Sequence, residues 1–180
     1  TGYKNKILER YFKNKKNINC IFTGKNTLTG GRLLRLKKFF KPGENFMMTY
    51  GDGLTNQNLK KLLNFHIKHK KTATLTAVKP PARFGEVFLK SNKVKKFEEK
   101  PQLNSNWING GFFVLNYKIF NFISGDKIML EREPFNKLVK KNQLMAFKHS
   151  GFWQCMDTVR DKKLLEKMHY KKKAPWQKLS

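Results

Sequence analysis

The stretch MMTYGDG, residues 47–53, runs apolar side chains into a carboxylate set between two glycines. The chain has only 12 acidic residues against 39 basic ones, so an acid placed there is a candidate for chemistry. A carboxylate at a strand's end can hold Mg2+, which takes one or two carboxylates and fills its other positions with water and substrate phosphates. Asp52 has that setting, and Gly51 and Gly53 let the backbone turn and leave room for a bulky ligand. The same pattern fits an Asp-Gly turn or an N-cap for the next helix, and the local sequence leaves these readings open. Asp157, in GFWQCMDTVRD, is a second acid after an apolar run. Its alternative is again an N-cap, ahead of a helix beginning near Arg160. Together the two acids make a two-carboxylate magnesium site, provided the fold brings them near each other.

Other candidates are weaker. Lys100, in FEEKP, is one of 33 lysines; anchored by Pro101, it could meet a phosphate as a point charge, or it is surface. Thr27, Gly30, Gly31 and Arg32 have the composition of an anion-binding loop opening a helix, although they match no Walker pattern. His66 and His69 are spaced i, i+3 on a predicted helix with no third ligand nearby, and are expected to be exposed helix histidines. Trp107 and Trp153 read as core, with adjacent glycines keeping a ligand platform open. There is no Gly-x-Ser-x-Gly elbow and no Cys/His nucleophile pair.

The elements that must position these residues alternate. Helical spacing of apolar residues predicts helices over 4–13, 32–40 and 59–67, and shorter ones over 117–123, 134–141 and 161–168. Apolar or β-rich runs predict strands at 17–22, 45–50, 72–78, 107–115 and 144–149, with a hairpin from 86–89 and 93–97. The Gly pair inside 107–115 suggests a bulge or a close backbone approach to a ligand. The pattern is that of an α/β domain with a largely parallel sheet, in which ligands bind beyond the carboxyl ends of strands. With 180 residues and no repeat or linker, the chain is read as one domain, residues 1–180.

The net charge of +27 raises the question of nucleic acid. Only 6 of the basic residues are Arg, and the lysines run in pairs and triplets along the whole chain. Sequence readers favour Arg for its bidentate fork, so the charge reads mainly as solvated surface. A basic nucleic-acid-binding module stays as the reading from another class. No run approaches a membrane span, and two distant cysteines, Cys20 and Cys155, read as reduced thiols of a cytoplasmic protein.

Taken in order, TGGRL, TYGDG, KKTATLTAV, PPARFGE, FEEKP, WINGGFFVLN, EREP, GFWQCMDTVRDK and KAPW resemble the glucose-1-phosphate cytidylyltransferases, a branch of the sugar-nucleotide nucleotidyltransferases. The resemblance covers Thr1 to Trp176, and EREP with GFWQCMDT points to the cytidylyl branch. It implies a Rossmann-like nucleotidyltransferase fold, α/β with a mixed, mostly parallel sheet. It also implies transfer of a cytidylyl group from CTP to α-D-glucose 1-phosphate, giving CDP-glucose and pyrophosphate with Mg2+. By the same resemblance Asp52 and Asp157 hold Mg2+, and Thr27, Arg32 and Gly51 line the nucleotide pocket. Lys100 meets the sugar phosphate, and Glu99, Asn109 and Gly110 face the glucose hydroxyls.

The family opens with a strand, the loop Leu-Ala-Gly-Gly-x-Gly-Thr-Arg-Leu and a Lys-Pro motif that cradle the triphosphate. None of these is in the chain, and the stretch from Tyr11 to Thr29 is shorter than in relatives. The expectation is an enzyme lacking its first β-α unit, impaired on its own, with apolar surface left exposed and a homo-oligomer as the full-length form. A nucleotidyltransferase using another NTP is the alternative within the enzyme class.

Overall fold

The protein is described by a computed structural model for residues 1–80, 85–99 and 106–177. Its main sheet has four strands: β1 (Asn45–Thr49), β3 (Ala73–Val78), β6 (Ile108–Asn116) and β7 (Leu144–His149). They lie in the order β1-β6-β3-β7, so no two neighbours are consecutive in sequence and every connection crosses over. The sheet is mixed, as expected of an α/β nucleotidyltransferase fold. Helices α1 (Asn5–Phe12), α2 (Thr29–Arg35), α3 (Leu59–His69), α4 (Glu133–Lys140) and α5 (Val159–Tyr170) alternate with the strands. Two antiparallel ribbons complete the fold: β2 (Gly53–Thr55) with β8 (Trp153–Cys155), and β4 (Glu86–Lys90) with β5 (Lys93–Glu98).

The chain folds as two compact units. The first holds residues 1–46, 71–73 and 115–145. Its core is aromatic: Phe40 stacks on Phe46 at 4.0 Å between ring centroids, and Phe120 lies 6.0 and 5.9 Å from them. Leu33, Ile119, Leu130 and Leu138 are buried in the same unit.

The start of α2 corrects the anion-loop reading. The Gly30 and Gly31 N–H groups donate to the Ile128 carbonyl at 3.0 and 3.3 Å, and Leu28 N donates to the Asp126 carbonyl at 3.0 Å. The donors that an anion would need are taken by backbone, because the glycines let the helix start lie directly on residues 126–130. Arg35 clamps the same segment with a bidentate ion pair to Asp126. That pairing raises the Arg35 pKa and lowers that of Asp126, in each case chiefly through the hydrogen bond between them.

The predicted strand at Asn17–Phe22 is not formed. Among the described residues this segment pairs with no strand; Ile18 N donates to Lys15 O at 3.0 Å, and the Thr1 amino group donates to Ile21 O at 2.6 Å. Thr23 N then donates to Thr1 O at 2.9 Å. A strand needs a ladder, and apolar composition alone does not supply one. Helix α1 buries no residue, and Tyr11 is 73% exposed.

The second unit holds residues 47–70, 74–114 and 146–180, and with them the larger part of every main-sheet strand. Its core includes Leu62, Val78, Phe113, Val114 and Leu165. Helix α3 starts at Asn58, whose side chain accepts from Lys61 N at 2.9 Å, so Asp52 is not its N-cap.

His66 was expected on the surface and is instead 1% exposed. It shares a helical face with Leu62, four residues earlier, and that face turns inward. The Thr74 hydroxyl lies 2.8 Å from His66 Nδ1 and 2.7 Å from His69 Nε2. Burial first, and the charge of His69 second, lower the His66 pKa from 6.5 to about 4. Above pH 6.5 the ring is neutral in both folded and unfolded chains. Between 6.5 and about 4 the unfolded chain takes up a proton that the folded chain refuses, so stability falls as pH falls. The expected loss over that window is on the order of 2–3 kcal/mol. Urea unfolding at pH 7 and pH 4.5 measures it, and His66→Gln, which keeps a polar partner for Thr74, should remove most of the slope. An unchanged slope in that variant would assign the loss to other groups.

Candidate active site

The β2–β8 ribbon brings the two candidate acids together. Gly53 pairs with Cys155, Leu54 with Gln154 and Thr55 with Trp153. Asp52 directly precedes β2, and Asp157 lies two residues beyond Cys155, so the antiparallel register puts both at the same end of the ribbon. The pairing continues one step past the strands, with Met156 N donating to Asp52 O at 2.9 Å. At the other end, Thr55 Oγ1 and Asn56 N donate to Phe152 O at 3.0 and 3.2 Å.

Both acids line one cavity of about 350 Å3 within the second unit. Its walls come from Tyr50 and Gly53, from Pro80, from residues 108–111 and from residues 153–155. Of the predicted sugar-facing residues, Asn109 and Gly110 lie here. Asn109 Oδ1 accepts from Gly111 N at 3.0 Å, which leaves its amide N–H groups for the cavity. Gly111 has φ +76°, and Tyr50 N donates to its carbonyl at 3.0 Å. A Cβ at Gly110 would stand 2.9 Å from Val78 Cγ1 and 3.1 Å from Thr76 O. At Gly110, therefore, β6 lies close against Val78 and Thr76 of β3. Trp153 is half-buried; its indole N–H donates to Gly110 O at 2.8 Å and its residue lines the cavity.

The capping alternatives resolve on geometry. Helix α5 is capped by Thr158, whose hydroxyl accepts from Asp161 N at 3.2 Å while Asp161 Oδ2 accepts from Thr158 N at 3.0 Å. Asp161 is held in turn by Gln154 Nε2 at 3.2 Å. Asp157 thus does not cap, and both Asp52 and Asp157 are exposed. Gly51 and Asp52 do form a turn, so the turn reading of Asp52 holds.

The donor set is two carboxylates, and among the described residues no group of three or more His, Cys, Asp or Glu could hold a metal. Hard oxygen donors in that number fit Mg2+, which leaves positions for substrate phosphates, better than they fit a closed zinc site.

Thr27 and Arg32 belong to the first unit. Thr27 is buried just ahead of α2. Arg32 Nη1 donates to Thr1 O at 3.1 Å and Thr23 Oγ1 at 2.9 Å, so its guanidinium anchors the loop that replaces the expected strand. Glu99 is exposed after β5, and Lys100 lies outside the described residues. Tyr50 and Cys155 were not foreseen as cavity residues. The period-two alternation Trp153, Cys155, Asp157 was the available signal, since such residues share one strand face.

Gly51 is not required by the fold. Its φ is outside the left-handed region and a Cβ there would meet nothing within 4 Å. Gly51→Ala should leave stability within about 0.5 kcal/mol by thermal unfolding. If the space above Gly51 belongs to a nucleotide, the same substitution should weaken nucleotide binding several-fold in a titration; unchanged binding would remove Gly51 from the site.

The crossover-connected sheet with its alternating helices defines an α/β protein, with two carboxylates at one end of its short β2–β8 ribbon. Residues 1–166 match the nucleotidyl transferase family, and the chain belongs to it. It is similar to the glucose-1-phosphate cytidylyltransferase of Salmonella typhimurium, 46% identical over 160 residues, 89% of this chain and 62% of that protein. It is also 37% identical over 160 residues to the probable glucose-1-phosphate cytidylyltransferase of Bacillus subtilis, 88% of this chain and 62% of that one. The chain thus spans about 62% of the length of these curated relatives. Among solved structures, HddC from Yersinia pseudotuberculosis complexed with GMP-PN matches with a TM-score of 0.65 at 20% identity, over 93% of this chain and 76% of that one. At that identity the likeness shows the fold.

Proposed function

We propose that this chain carries the metal-holding part of an enzyme that transfers a cytidylyl group from CTP to α-D-glucose 1-phosphate. The observation that supports it most is the pairing of Asp52 and Asp157 on one cavity, in a chain 46% identical to a glucose-1-phosphate cytidylyltransferase. A phosphate oxygen of glucose 1-phosphate attacks the α-phosphorus of CTP in line. The new P–O bond forms as the bond to the bridging oxygen breaks, and the electron pair leaves on pyrophosphate. No covalent enzyme intermediate is needed, so the protein's work is positioning and charge stabilisation.

In this reading Asp52 and Asp157 hold Mg2+. Bound there, the ion neutralises charge on the phosphates. Asn109 offers amide donors to glucose hydroxyls, and Gly110 keeps a wall of the cavity free of side chain. Glu99 supplies an acceptor for the sugar, and Lys100 meets the sugar phosphate as a point charge. Thr27, Arg32 and Gly51 serve the nucleotide, and for Arg32 this requires giving up its bonds to Thr1 and Thr23. The whole protein acts as a homo-oligomer.

The test is pyrophosphate release with CTP, glucose 1-phosphate and Mg2+. It compares this chain with one extended at its N-terminus by the corresponding part of the Salmonella relative. Activity in the extended protein, with CTP preferred over UTP and dTTP, supports the reading. A preference for UTP or dTTP moves the assignment to another nucleotidyltransferase, and silence of a folded extended protein rejects it.

A further inference from the structure

We propose that a pocket in the first unit, between the short helix Tyr117–Phe122 and α4, is a second binding site that takes a small polyphosphate anion. Its volume is about 570 Å3, and it shares no residue with the carboxylate cavity. Three lysines line it: Lys118 on the short helix, Lys137 on α4 and Lys141 at the C-cap of α4. Thr72, Phe122 and Gln143 stand with them, and among the described residues no acid lines the pocket.

The end of a helix favours cations, which accounts for Lys137 and Lys141 one at a time. Spaced i, i+4, the two repel each other. Glu133 pairs with Lys137 from the preceding turn, while the Lys141 ammonium lies over the Phe122 ring, 5.7 Å from its centroid. The helix end does not account for Lys118, which arrives from another element. Gln143 supplies a fixed donor. Its backbone N–H donates to Leu138 O at 2.8 Å, and its carbonyl accepts from Ala73 N at 3.0 Å. Its Oε1 accepts from Thr72 N at 3.1 Å and from Thr72 Oγ1 at 3.0 Å. A backbone N–H only donates, so the amide oxygen must face Thr72, which is 4% exposed. The amide N–H2 is then the group Gln143 presents to the pocket. Three cations and one oriented donor suit several phosphate oxygens on one molecule, with each Lys acting as a point charge. The volume lies within the roughly 300–1,000 Å3 of small-molecule sites.

Inorganic pyrophosphate is the probe, titrated into the chain in a calorimeter at about 0.15 M salt, where exposed charges are screened beyond roughly 8 Å. EDTA is present, so that no metal at Asp52 and Asp157 contributes. One saturable site is expected. Lys118→Gln and Lys141→Gln should each weaken it about tenfold, the loss of one charge-assisted contact. Gln143→Glu keeps acceptors for both Thr72 donors, replaces the N–H2 with anionic oxygen, and should abolish binding. Lys60→Gln, an equal loss of charge on the exposed side of α3, should leave affinity within about twofold. Equal weakening by Lys60→Gln and Lys141→Gln would mean general attraction to a basic surface and overturns the site. So does undiminished binding in both pocket-lysine variants, or no saturation in the unaltered chain. A uridine oligomer that binds where pyrophosphate does not would give this surface to nucleic acid and overturn the site as well. Displacement of pyrophosphate by CTP assigns the pocket to the phosphates of a nucleotide, and lack of displacement to free pyrophosphate; either supports the site. These readouts are independent of cytidylyl transfer.

Discussion

Asp52→Asn and Asp157→Asn are each expected to lower Mg2+-dependent pyrophosphate release by at least about a hundredfold in the N-terminally extended protein. Each change removes one negative charge and keeps the side chain's size. The lost energy is that of holding a cation against phosphates in the transition state, where single electrostatic groups are worth about 10²–10³-fold. If the two acids hold one ion, as proposed, the double variant should be little worse than either single one. Stability should be almost unmoved. Asp52 is exposed beside a turn, and Asp157 is exposed and leaves the capping of α5 to Thr158 and Asp161. Higher Mg2+ should recover part of the rate in the single variants. Retention of activity within threefold in either would remove that acid from the site.

Gly31→Ala is expected to destabilise the protein by about 3 kcal/mol, the upper part of the range for overpacking. Intrinsic propensity predicts the reverse, because Ala in a helix is favoured over Gly by about 1 kcal/mol. The local geometry decides. A Cβ at Gly31 would stand 2.3 Å from Asp126 O and 2.5 Å from its Cα, both backbone atoms that cannot swing aside. Relief requires the start of α2 to lift from residues 126–130, which weakens the Gly30 and Gly31 bonds to Ile128 O and the Leu28 bond to Asp126 O. The Arg35–Asp126 pair would be disturbed with them. Urea unfolding should show a lower midpoint with an unchanged slope, the mark of a change in stability without a change in exposed surface. Gly125→Ala, where a Cβ meets nothing within 4 Å, is the neutral control. A stabilised Gly31→Ala would mean that α2 does not dock as described.

Much of the architecture was legible in the chain. Spacing predicts a helix over 59–67 and a hairpin from 86–89 and 93–97, and the structure forms them as Leu59–His69 and as Glu86–Lys90 with Lys93–Glu98. The apolar strand leading to the Gly51–Asp52 turn forms likewise. The resemblance by motif led to the family that residues 1–166 match. Other features were not legible. Residues 53–55 and 153–155 are too short to show a period, and only their pairing makes them strands. His66 carries the same local pattern as an exposed helix histidine, and its burial depends on which helix face meets the sheet. Residues 17–22 have strand-forming composition but, among the described residues, no strand to pair with.

By itself, then, the sequence determined the family, the alternation of helices and strands, and the residue types able to hold a divalent ion against phosphate. These are properties of local order along the chain: periodicity, turn residues and motif succession. The tertiary structure decided the rest. It placed Asp52 and Asp157, 105 positions apart, at one end of a three-residue ribbon, and it gave the cap of α5 to Thr158. It also closed the N–H groups of α2 against backbone and put a thiol beside the second acid. Register between distant strands and competition for hydrogen-bond partners are set by the packing of the whole chain, and no window of neighbouring residues contains them.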